Sequence, residues 1–210
     1  ANVANGTNRI AILLQNVVGA TKFRQYDILE PKKELNLAIP AIIGSIAGAF
    51  LAVDLNESMM QKIIGGLLIA MFFLLLFKPD KWVKGQAGKS KALNGTLKAV
   101  IFFFIGLYGG FMQAGVGFFV LAGLVLGAGY DLVKANAVKV FIVLFYTIFA
   151  LLIFILNGQV NYLIGLILAT GNMAGAYFGT RFAVSYGAKY IRYFVMAALI
   201  IAALKLIGVF

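Results

Sequence analysis

The sequence predicts an all-α polytopic membrane protein with two inverted-topology repeats of transmembrane helices and a glycine-broken helical hairpin. Three observations predict this fold class. Of 210 residues, 62% are hydrophobic and 12% charged, whereas a soluble domain is about half apolar and about a quarter charged. One stretch of sequence occurs twice, and the basic residues gather in short turns between hydrophobic runs. A soluble fold of this length could not bury so much apolar surface, so lipid must cover it.

Eight apolar runs are predicted to be membrane helices, because a lipid-facing backbone must satisfy its own hydrogen bonds. The runs cover residues 5–23, 35–54, 60–77, 99–112, 117–129, 134–156, 160–183 and 188–208. Pro40 lies in the first turns of its run, where proline costs little. The runs divide the chain into a first repeat, 1–77, a basic linker, 78–98, and a second repeat, 99–210.

The repeat begins at two similar helix starts, Ala4-Asn5-Gly6-Thr7-Asn8-Arg9 and Ala135-Asn136-Ala137-Val138-Lys139. Each copy later reaches a small-residue segment, 44–49 in the first and 171–176 in the second. Repeated hydrophobic halves with glycine-rich interruptions are typical of secondary transporters. Small residues let helix backbones approach closely, which predicts packing faces at glycines 44 and 48 and at glycines 171, 175 and 179.

The distribution of basic residues predicts the orientation of the helices. Lysine and arginine concentrate after the first run, in the linker, and in the turns at 130–134 and 181–192, whereas the turns at 54–58 and 157–159 carry few. Basic turns belong in the cytoplasm. Helices 5–23 and 134–156 then run in opposite directions, so the repeats are predicted to be inverted. The central linker is predicted to be cytoplasmic and the C-terminus outside.

The segment 99–129 is predicted to enter the membrane and return to the same side. Each arm would reach only ~20 Å at 1.5 Å per residue, short of the ~30 Å hydrocarbon core. Four glycines at 109, 110, 115 and 117 predict a helix break between the arms. Exposed backbone at that depth is tolerated where it lines a cavity or is buried in protein. The break is therefore the predicted binding region; the alternative is that the glycines only allow tight helix packing.

The chain lacks the side chains that most enzymes and cation transporters use. All seven acids fall in loops or at the ends of runs, and histidine and cysteine are absent. Proton and sodium pathways usually contain an intramembrane carboxylate, which disfavours cation transport. Histidine is the commonest general base and metal ligand. The sequence therefore predicts neither an enzyme nor a bound metal or cofactor.

The polar groups within the runs are neutral or cationic, which suits an anionic substrate. The candidate substrate-binding residues are Asn5, Thr7, Asn8, Arg9, Gln113, Gly115, Gly117, Asn136 and Lys139. Arg9 and Lys139 would offset the substrate's charge, while amides and exposed N–H groups would orient it. Two alternatives stand beside this reading. The two cations could extend to the lipid headgroups, and Gln15 and Asn16 could make interhelical hydrogen bonds.

These motifs resemble the TauE/SafE family of sulfite exporters. The segment 4–11 resembles a helix start of that family, 106–117 its second glycine-rich motif, and 135–139 the helix start that follows. The resemblance covers essentially the whole chain. The family's earlier glycine-rich hairpin, the counterpart of 99–129, is not in this sequence. About 35–45 residues, enough for a helical hairpin, are expected to be missing upstream.

The resemblance implies export of small sulfur-containing anions, such as sulfite or organosulfonates, across the bacterial inner membrane. The expected partners are that anion, the lipid bilayer and, as a possible homodimer, a second copy. Nucleic acid is not expected, since the positive-inside rule explains the net charge of +11. The main alternative is an anion channel of the same architecture. A membrane-embedded enzyme and a non-transporting scaffold are two further alternatives.

Overall fold

The computed structural model describes residues 1–56, 58–60, 62–63 and 93–206, with side chains as far as residue 186. These residues are helical apart from connecting turns and contain no strand. The helices are α1 (Asn2–Gln25), α2 (Pro31–Asp54), α3 (Gly95–Phe111), α4 (Val116–Ala122), α5 (Leu132–Leu156) and α6 (Tyr162–Leu206). A π-helical turn, Gly123–Gly127, continues α4. The all-α prediction is confirmed for this part of the chain.

The predicted span 60–77, beyond its first residues, and the linker as far as residue 92 lie outside the described residues. The division into 1–77, 78–98 and 99–210 therefore stays a prediction. The other predicted spans up to residue 156 differ from the observed helices by at most about one helical turn, the usual uncertainty of helix ends.

Three described helical segments are long and apolar enough to cross a membrane: Pro31–Asp54, Leu132–Leu156 and Tyr162–Tyr186. The two helices of the segment 95–127 are shorter but also apolar. Side-chain caps mark the starts of α3 and α5. Asn94 accepts a hydrogen bond from the Leu97 N–H at 2.9 Å, and Asp131 accepts from the N–H groups of Val133 and Lys134. Such caps satisfy orphan donors of the first helical turn.

The long helix α6 contradicts one prediction. A turn is expected over 181–192, but the backbone is continuously helical from Tyr162 to Leu206. The segment 181–192 contains no proline and only one glycine, Gly187. Arginine and lysine are good helix formers, so the basic residues that predict a cytoplasmic turn are equally compatible with a helix. The prediction of separate helices at 160–183 and 188–208 is therefore wrong, and the side on which the C-terminus lies stays a prediction.

Side-chain contacts define two opposite ends of the bundle. At one end, Asn2 donates to the carbonyl of Leu55 at 2.8 Å, and Gln159 donates to the carbonyl of Val53 at 3.1 Å. This end, which we call the 157–161 end, holds the start of α1, the end of α2 and the turn between α5 and α6.

The other end, the 128–131 end, gathers three further connections. Lys134 Nζ donates to the carbonyl of Ile28 at 2.9 Å, which joins the α1–α2 turn to the start of α5. The Leu93 N–H donates to the carbonyl of Gly127 at 2.9 Å. It follows that α1 and α5 run antiparallel, and that the segment 95–127 starts and finishes at this end.

The packing of α2 against α3 depends on glycines from both helices. A Cβ atom at Gly44 or Gly48 would overlap a backbone carbonyl of α3, and one at Gly106 or Gly110 would overlap a backbone carbonyl of α2. The predicted packing role of glycines 44 and 48 is thus confirmed. No described atom lies within 4 Å of a Cβ built at glycines 171, 175 or 179. Among the described residues, this second set of glycines therefore packs against no other helix.

Two hydrophobic clusters hold the bundle together. The larger lies towards the 128–131 end and includes Phe23 of α1, Phe102 of α3, and Ile142 of α5. The smaller lies towards the 157–161 end around Ala49 of α2 and Phe154 of α5. The helix break between α3 and α4 lies between these two clusters; Met112 and Gln113 of the break are buried, whereas Ala114 is exposed.

Candidate functional site

The break between α3 and α4 covers residues 112–115. Met112 has extended backbone, and Gly115 has a φ of 73°, a left-handed conformation that glycine adopts without steric cost. The Tyr108 hydroxyl donates to the carbonyl of Ala114 at 2.7 Å. The rings of Tyr108 and Phe119, 5.3 Å apart, join the two arms. The break is therefore a defined turn with its own side-chain contacts.

The break lies deep in the bundle. Gly110, at the end of α3, packs directly on the backbone of Ser45. Ser45 is ~21 Å along α2 from the helix start at 1.5 Å per residue. The hydrocarbon core of a bilayer is ~30 Å thick. The end of α3 therefore lies well inside the thickness that α2 spans.

Arg9 is fully buried and binds the end of α3. Its guanidinium donates to the carbonyl of Gly110 at 2.5 Å and to that of Gly109 at 3.1 Å. It also lies 4.6 Å above the ring of Phe154. The last carbonyls of a helix lack intrahelical donors and carry partial negative charge. The alternative that Arg9 extends to the lipid headgroups is therefore wrong.

Asn5 completes this cap one turn before Arg9. Its amide nitrogen donates to the carbonyl of Phe111 at 2.8 Å, and its amide oxygen accepts a long bond from Arg9 at 3.5 Å. Three successive carbonyls at the end of α3 are thus bound by two side chains of α1. The predicted residues Asn5 and Arg9 meet the predicted break, and they do so through the backbone.

Gln113 connects Arg9 to helix α5. Its amide oxygen accepts from Arg9 at 3.4 Å, and its amide nitrogen donates to the hydroxyl of Tyr146 at 3.2 Å. Gln113 and Tyr146 are both buried. Sequence reasoning singles out Gln113 but misses Tyr146, which looks like one more aromatic residue in an apolar run.

Lys139 approaches the same break from α5. A Cβ built at Gly117 would lie 3.8 Å from Lys139 Cδ, so the lysine stem runs along the first turn of α4. Lys139 is half-buried and lies ~10 Å along α5 from the helix start. Its amine forms no hydrogen bond or ion pair with a residue that the structure describes. Lys139 thus places a cation inside the bundle without an acidic partner among these residues.

The remaining predicted residues are more dispersed. Thr7 accepts a hydrogen bond from the Asn161 N–H at 2.9 Å, which places it at the 157–161 end beside the start of α6. Gly115 provides the left-handed residue of the break. Asn8 and Asn136 are half-buried, and neither forms a hydrogen bond with the described residues. The structure thus brings Asn5, Arg9, Gln113, Gly115, Gly117 and Lys139 to the break.

One alternative for the polar residues of α1 is also corrected. Asn16 is buried, but its amide donates to the carbonyl of Ile12 in its own helix at 2.7 Å. It therefore satisfies itself locally and makes no interhelical hydrogen bond among the described residues. Gln15 is half-buried.

A buried acid at the 128–131 end also escapes sequence reasoning. Glu34 is only 1% exposed; it accepts from the Tyr130 hydroxyl at 2.9 Å and lies 3.4 Å from Lys134 Nζ. Burial and the neighbouring Glu34 raise the pKa of Tyr130 to about 12, so this hydroxyl remains a donor at physiological pH. The sequence offers one indication of this contact, because the basic turns near Glu34 and Lys134 are predicted to lie on the same side of the membrane. These residues tie that end together, away from the break.

The described part of the site is rich in hydrogen-bond donors and contains no acid. Arginine and lysine side chains only donate, and those at 9 and 139 approach the break from two helices. In the described part of the chain, no group of three histidine, cysteine, aspartate or glutamate side chains could hold a metal ion. The arrangement can bind a ligand with negative charge and several acceptor atoms.

Comparison with known proteins gives a consistent picture. The model of the family described as "Sulfite exporter TauE/SafE" matches residues 1–206. The chain is 28% identical over 203 residues to the probable membrane transporter protein ORF9 of a Sinorhizobium species, covering 97% of this chain and 77% of that protein. It is 29% identical over 176 residues to the probable membrane transporter protein YfcA of Escherichia coli strain K12, covering 83% of this chain and 64% of YfcA.

A third relative is a probable membrane transporter protein of Haemophilus influenzae, 26% identical over 197 residues. The matched part of the chain thus spans about three quarters of the ORF9 protein and less than two thirds of YfcA. No solved structure matches the chain.

Proposed function

Because this chain belongs to the TauE/SafE family of sulfite exporters, we propose that it is a secondary transporter that exports small anions across the cytoplasmic membrane. Sulfite and organosulfur anions such as sulfonates are the proposed substrates. Transport requires only binding and release, so the proposal includes no catalytic step and no cofactor.

The position of Lys139, at the break and without an acidic partner among the described residues, is the main support for the proposal. A charged side chain within a membrane is costly, and such residues usually pair with one another or mark a substrate pathway. Lys139 has no acidic partner among the described residues, and its stem lies against Gly117 at the helix break. A small anion at the break would supply the missing negative charge. A cation there would be repelled by the charges of Arg9 and Lys139.

The segment 95–127 is proposed to be a re-entrant hairpin that forms one wall of the site. Its two ends meet through the bond from Leu93 to Gly127, and its tip is held by Arg9 and Asn5. The sequence predicts that Arg9 offsets the charge of the substrate, and its hydrogen bonds to backbone carbonyls add a second role. Arg9 adds positive potential to the site and also holds the hairpin tip in position.

Alternating access is proposed to arise from rocking of two inverted repeats about this site. The antiparallel course of α1 and α5 supports that proposal, since each opens one repeat. On this proposal the 128–131 end and the central linker face the cytoplasm, as the positive-inside rule predicts from the basic turns. Assembly into a homodimer belongs to the same proposal. An outward C-terminus depended on two separate helices after residue 160 and is not part of it, because α6 is continuous from Tyr162 to Leu206.

Uptake of radiolabelled sulfite into liposomes containing the full protein tests the function. We expect initial rates that saturate with sulfite concentration and are reduced by sulfonate or thiosulfate more strongly than by chloride. Rates that rise without saturation would instead identify an anion channel. Protein shown to be folded that moves no anion would contradict the proposal.

A further inference from the structure

We propose that the hydroxyl of Tyr146 is a specificity-determining hydrogen-bond donor to the transported anion. This inference rests on the proposed function. It adds Tyr146, which lies outside the sequence motifs at 4–11, 106–117 and 135–139, to the proposed anion site. It depends on the direction of the hydrogen bonds from Arg9 through Gln113 to Tyr146, and on two further donors of α5.

The direction of the bonds follows from the chemistry of the three side chains. A guanidinium can only donate, so the Gln113 group that faces Arg9 must be the amide oxygen, at 3.4 Å. The amide nitrogen then faces Tyr146 and donates to its oxygen at 3.2 Å. The Tyr146 oxygen therefore acts as an acceptor in this bond, and its own proton is left to donate elsewhere.

The proton of Tyr146 has no acceptor in the described part of the chain. Tyr146 is fully buried, so water at the protein surface cannot serve instead. A buried donor without an acceptor is unfavourable, and a ligand that brings an acceptor atom removes that cost. Hydrogen bonds in series also polarise one another, so the bond from the Arg9 side strengthens Tyr146 as a donor.

A second buried hydroxyl belongs to the next residue of α5. Thr147 is fully buried, and its Oγ1 has no hydrogen-bond partner among the described residues. Tyr146 and Thr147 follow Lys139 by seven and eight positions, close to two helical turns, so all three lie on one side of α5. One amine and two hydroxyls with unused donors thus share this side of the helix.

The backbone that carries these hydroxyls is held in place. The Ser45 hydroxyl of α2 donates to the backbone carbonyl of Tyr146 at 3.2 Å, and Gly109 packs on the phenol ring. Tyr146 is therefore presented from a fixed position against the end of α3. The ligand that fits these donors is an oxyanion, because several oxygens on one centre can accept bonds from different donors at once.

Arg9 is, on this proposal, a positioning residue. Its bonds go to Gly109, Gly110, Asn5 and Gln113, and it reaches the anion only through Gln113. The anion contacts the side of α5 that carries Lys139 and Tyr146, when the hairpin and α5 separate enough to admit it.

The test compares two tyrosines by sulfite uptake into liposomes. Tyr146→Phe removes the proposed donor and keeps the ring. Tyr26→Phe is the control, since Tyr26 is exposed in the turn after α1, at the 128–131 end and away from the break. We expect Tyr146→Phe to raise the KM for sulfite about tenfold, the scale of one lost hydrogen bond to a charged group, with the maximal rate nearly unchanged. We expect Tyr26→Phe to leave the KM unchanged.

A second variant keeps the test decisive if Tyr146→Phe fails to fold. Replacement of Tyr146 by a ring-fluorinated tyrosine keeps the size of the side chain nearly unchanged and makes the phenol a stronger donor. We expect a lower KM for sulfite and a smaller change for thiocyanate, a weaker hydrogen-bond acceptor. A purely structural role would not separate the two anions.

The outcomes separate this inference from the function on which it rests. Wild-type uptake of sulfite together with an unchanged KM in Tyr146→Phe, or an equal rise in both phenylalanine variants, would overturn the role of Tyr146 alone. Folded wild-type protein that moves no anion would overturn both proposals.

Discussion

A buried arginine in this protein is compensated by the end of a helix. Arg9 is completely inaccessible, yet its bonded partners are backbone carbonyls and two amides. The carbonyls at a helix C-terminus carry roughly half of a negative charge. The end of α3 therefore substitutes for a carboxylate. This explains how the described membrane interior can contain a buried cation although the described acids lie in loops and at helix ends.

Replacing this arginine is expected to destabilise the fold. Arg9→Met leaves the carbonyls of Gly109 and Gly110 without donors, and we expect a loss of about 3 kcal/mol in unfolding free energy, the scale of hydrogen bonds to a charged group. Arg9→Lys should lose less, because it keeps the charge but not the planar fork of donors. Unfolding in detergent micelles measures both variants.

Arg24→Met is the control for the arginine substitutions. Arg24 is exposed at the end of the same helix, and its loss is expected to change stability by less than about 0.5 kcal/mol. Equal unfolding curves for Arg9→Met and Arg24→Met would show that the bonds to α3 contribute nothing.

The residues of the site differ in how visible they are in the sequence. Asn5, Arg9 and Gln113 stand out as polar residues in apolar runs, and the structure brings them together. Tyr146 and Thr147 cannot be singled out from the sequence, because aromatic and β-branched residues are also common in hydrophobic cores. Their distance of two turns from Lys139 is the available signal, and it becomes informative only once Lys139 is known to face the break.

At the scale of helices, glycines decide how closely α3 approaches α2. Glycines 44 and 48 of α2 and 106 and 110 of α3 each leave room for a backbone carbonyl of the other helix. Direct contact between backbones replaces the side-chain layer that usually separates two helices. This contact holds α3 in line with α2 and sets the depth of its capped end.

Gly106→Ala is expected to disrupt this contact. The added methyl would overlap the carbonyl of Ala41, and overpacking of this kind costs about 1–3 kcal/mol. Gly171→Ala is the matched control, since a Cβ there meets no described atom. The control should be neutral or slightly stabilising, because alanine favours a helix over glycine by roughly 0.5–1 kcal/mol. Thermal unfolding of both variants measures the difference; equal shifts would contradict a glycine-dependent contact.

The helices were predictable where hydrophobic runs have clear ends. Asn94 and Asp131 cap α3 and α5 close to the predicted starts. The prediction failed in α6, where basic residues alone suggested a turn and no proline or cap supported it. Charge patterning indicates which side of a membrane a segment faces, but the backbone stays helical unless a residue interrupts it.

At the scale of the whole molecule, polar contacts at both ends hold the bundle closed. Lys134 contacts Glu34 and Ile28 at one end, while Asn161 contacts Thr7 at the other. An alternating-access cycle would have to exchange contacts at one end while keeping those at the other. The break between α3 and α4 lies between them, as a site with access from each side in turn requires.

The orientation in the membrane can be tested directly, because the chain contains no cysteine. Single cysteines at Gln25 and at Asn157 would report the 128–131 end and the 157–161 end respectively; both positions are exposed. A membrane-impermeant thiol reagent is expected to label Asn157→Cys in intact cells, and Gln25→Cys only after permeabilisation, as the positive-inside rule predicts. The reverse pattern would contradict the predicted orientation.

The central claim is that Lys139, which has no acidic partner among the described residues, provides a cation at the break between α3 and α4, and Lys139→Met tests it most directly. Methionine keeps most of the length of the lysine stem against Gly117 and removes the charge. Lys32→Met is the control, since Lys32 is exposed at the start of α2. We predict that initial sulfite uptake at low concentration falls about tenfold in Lys139→Met, equivalent to about 1.4 kcal/mol of binding free energy, and is unchanged in Lys32→Met. Wild-type uptake by folded Lys139→Met protein would contradict the account.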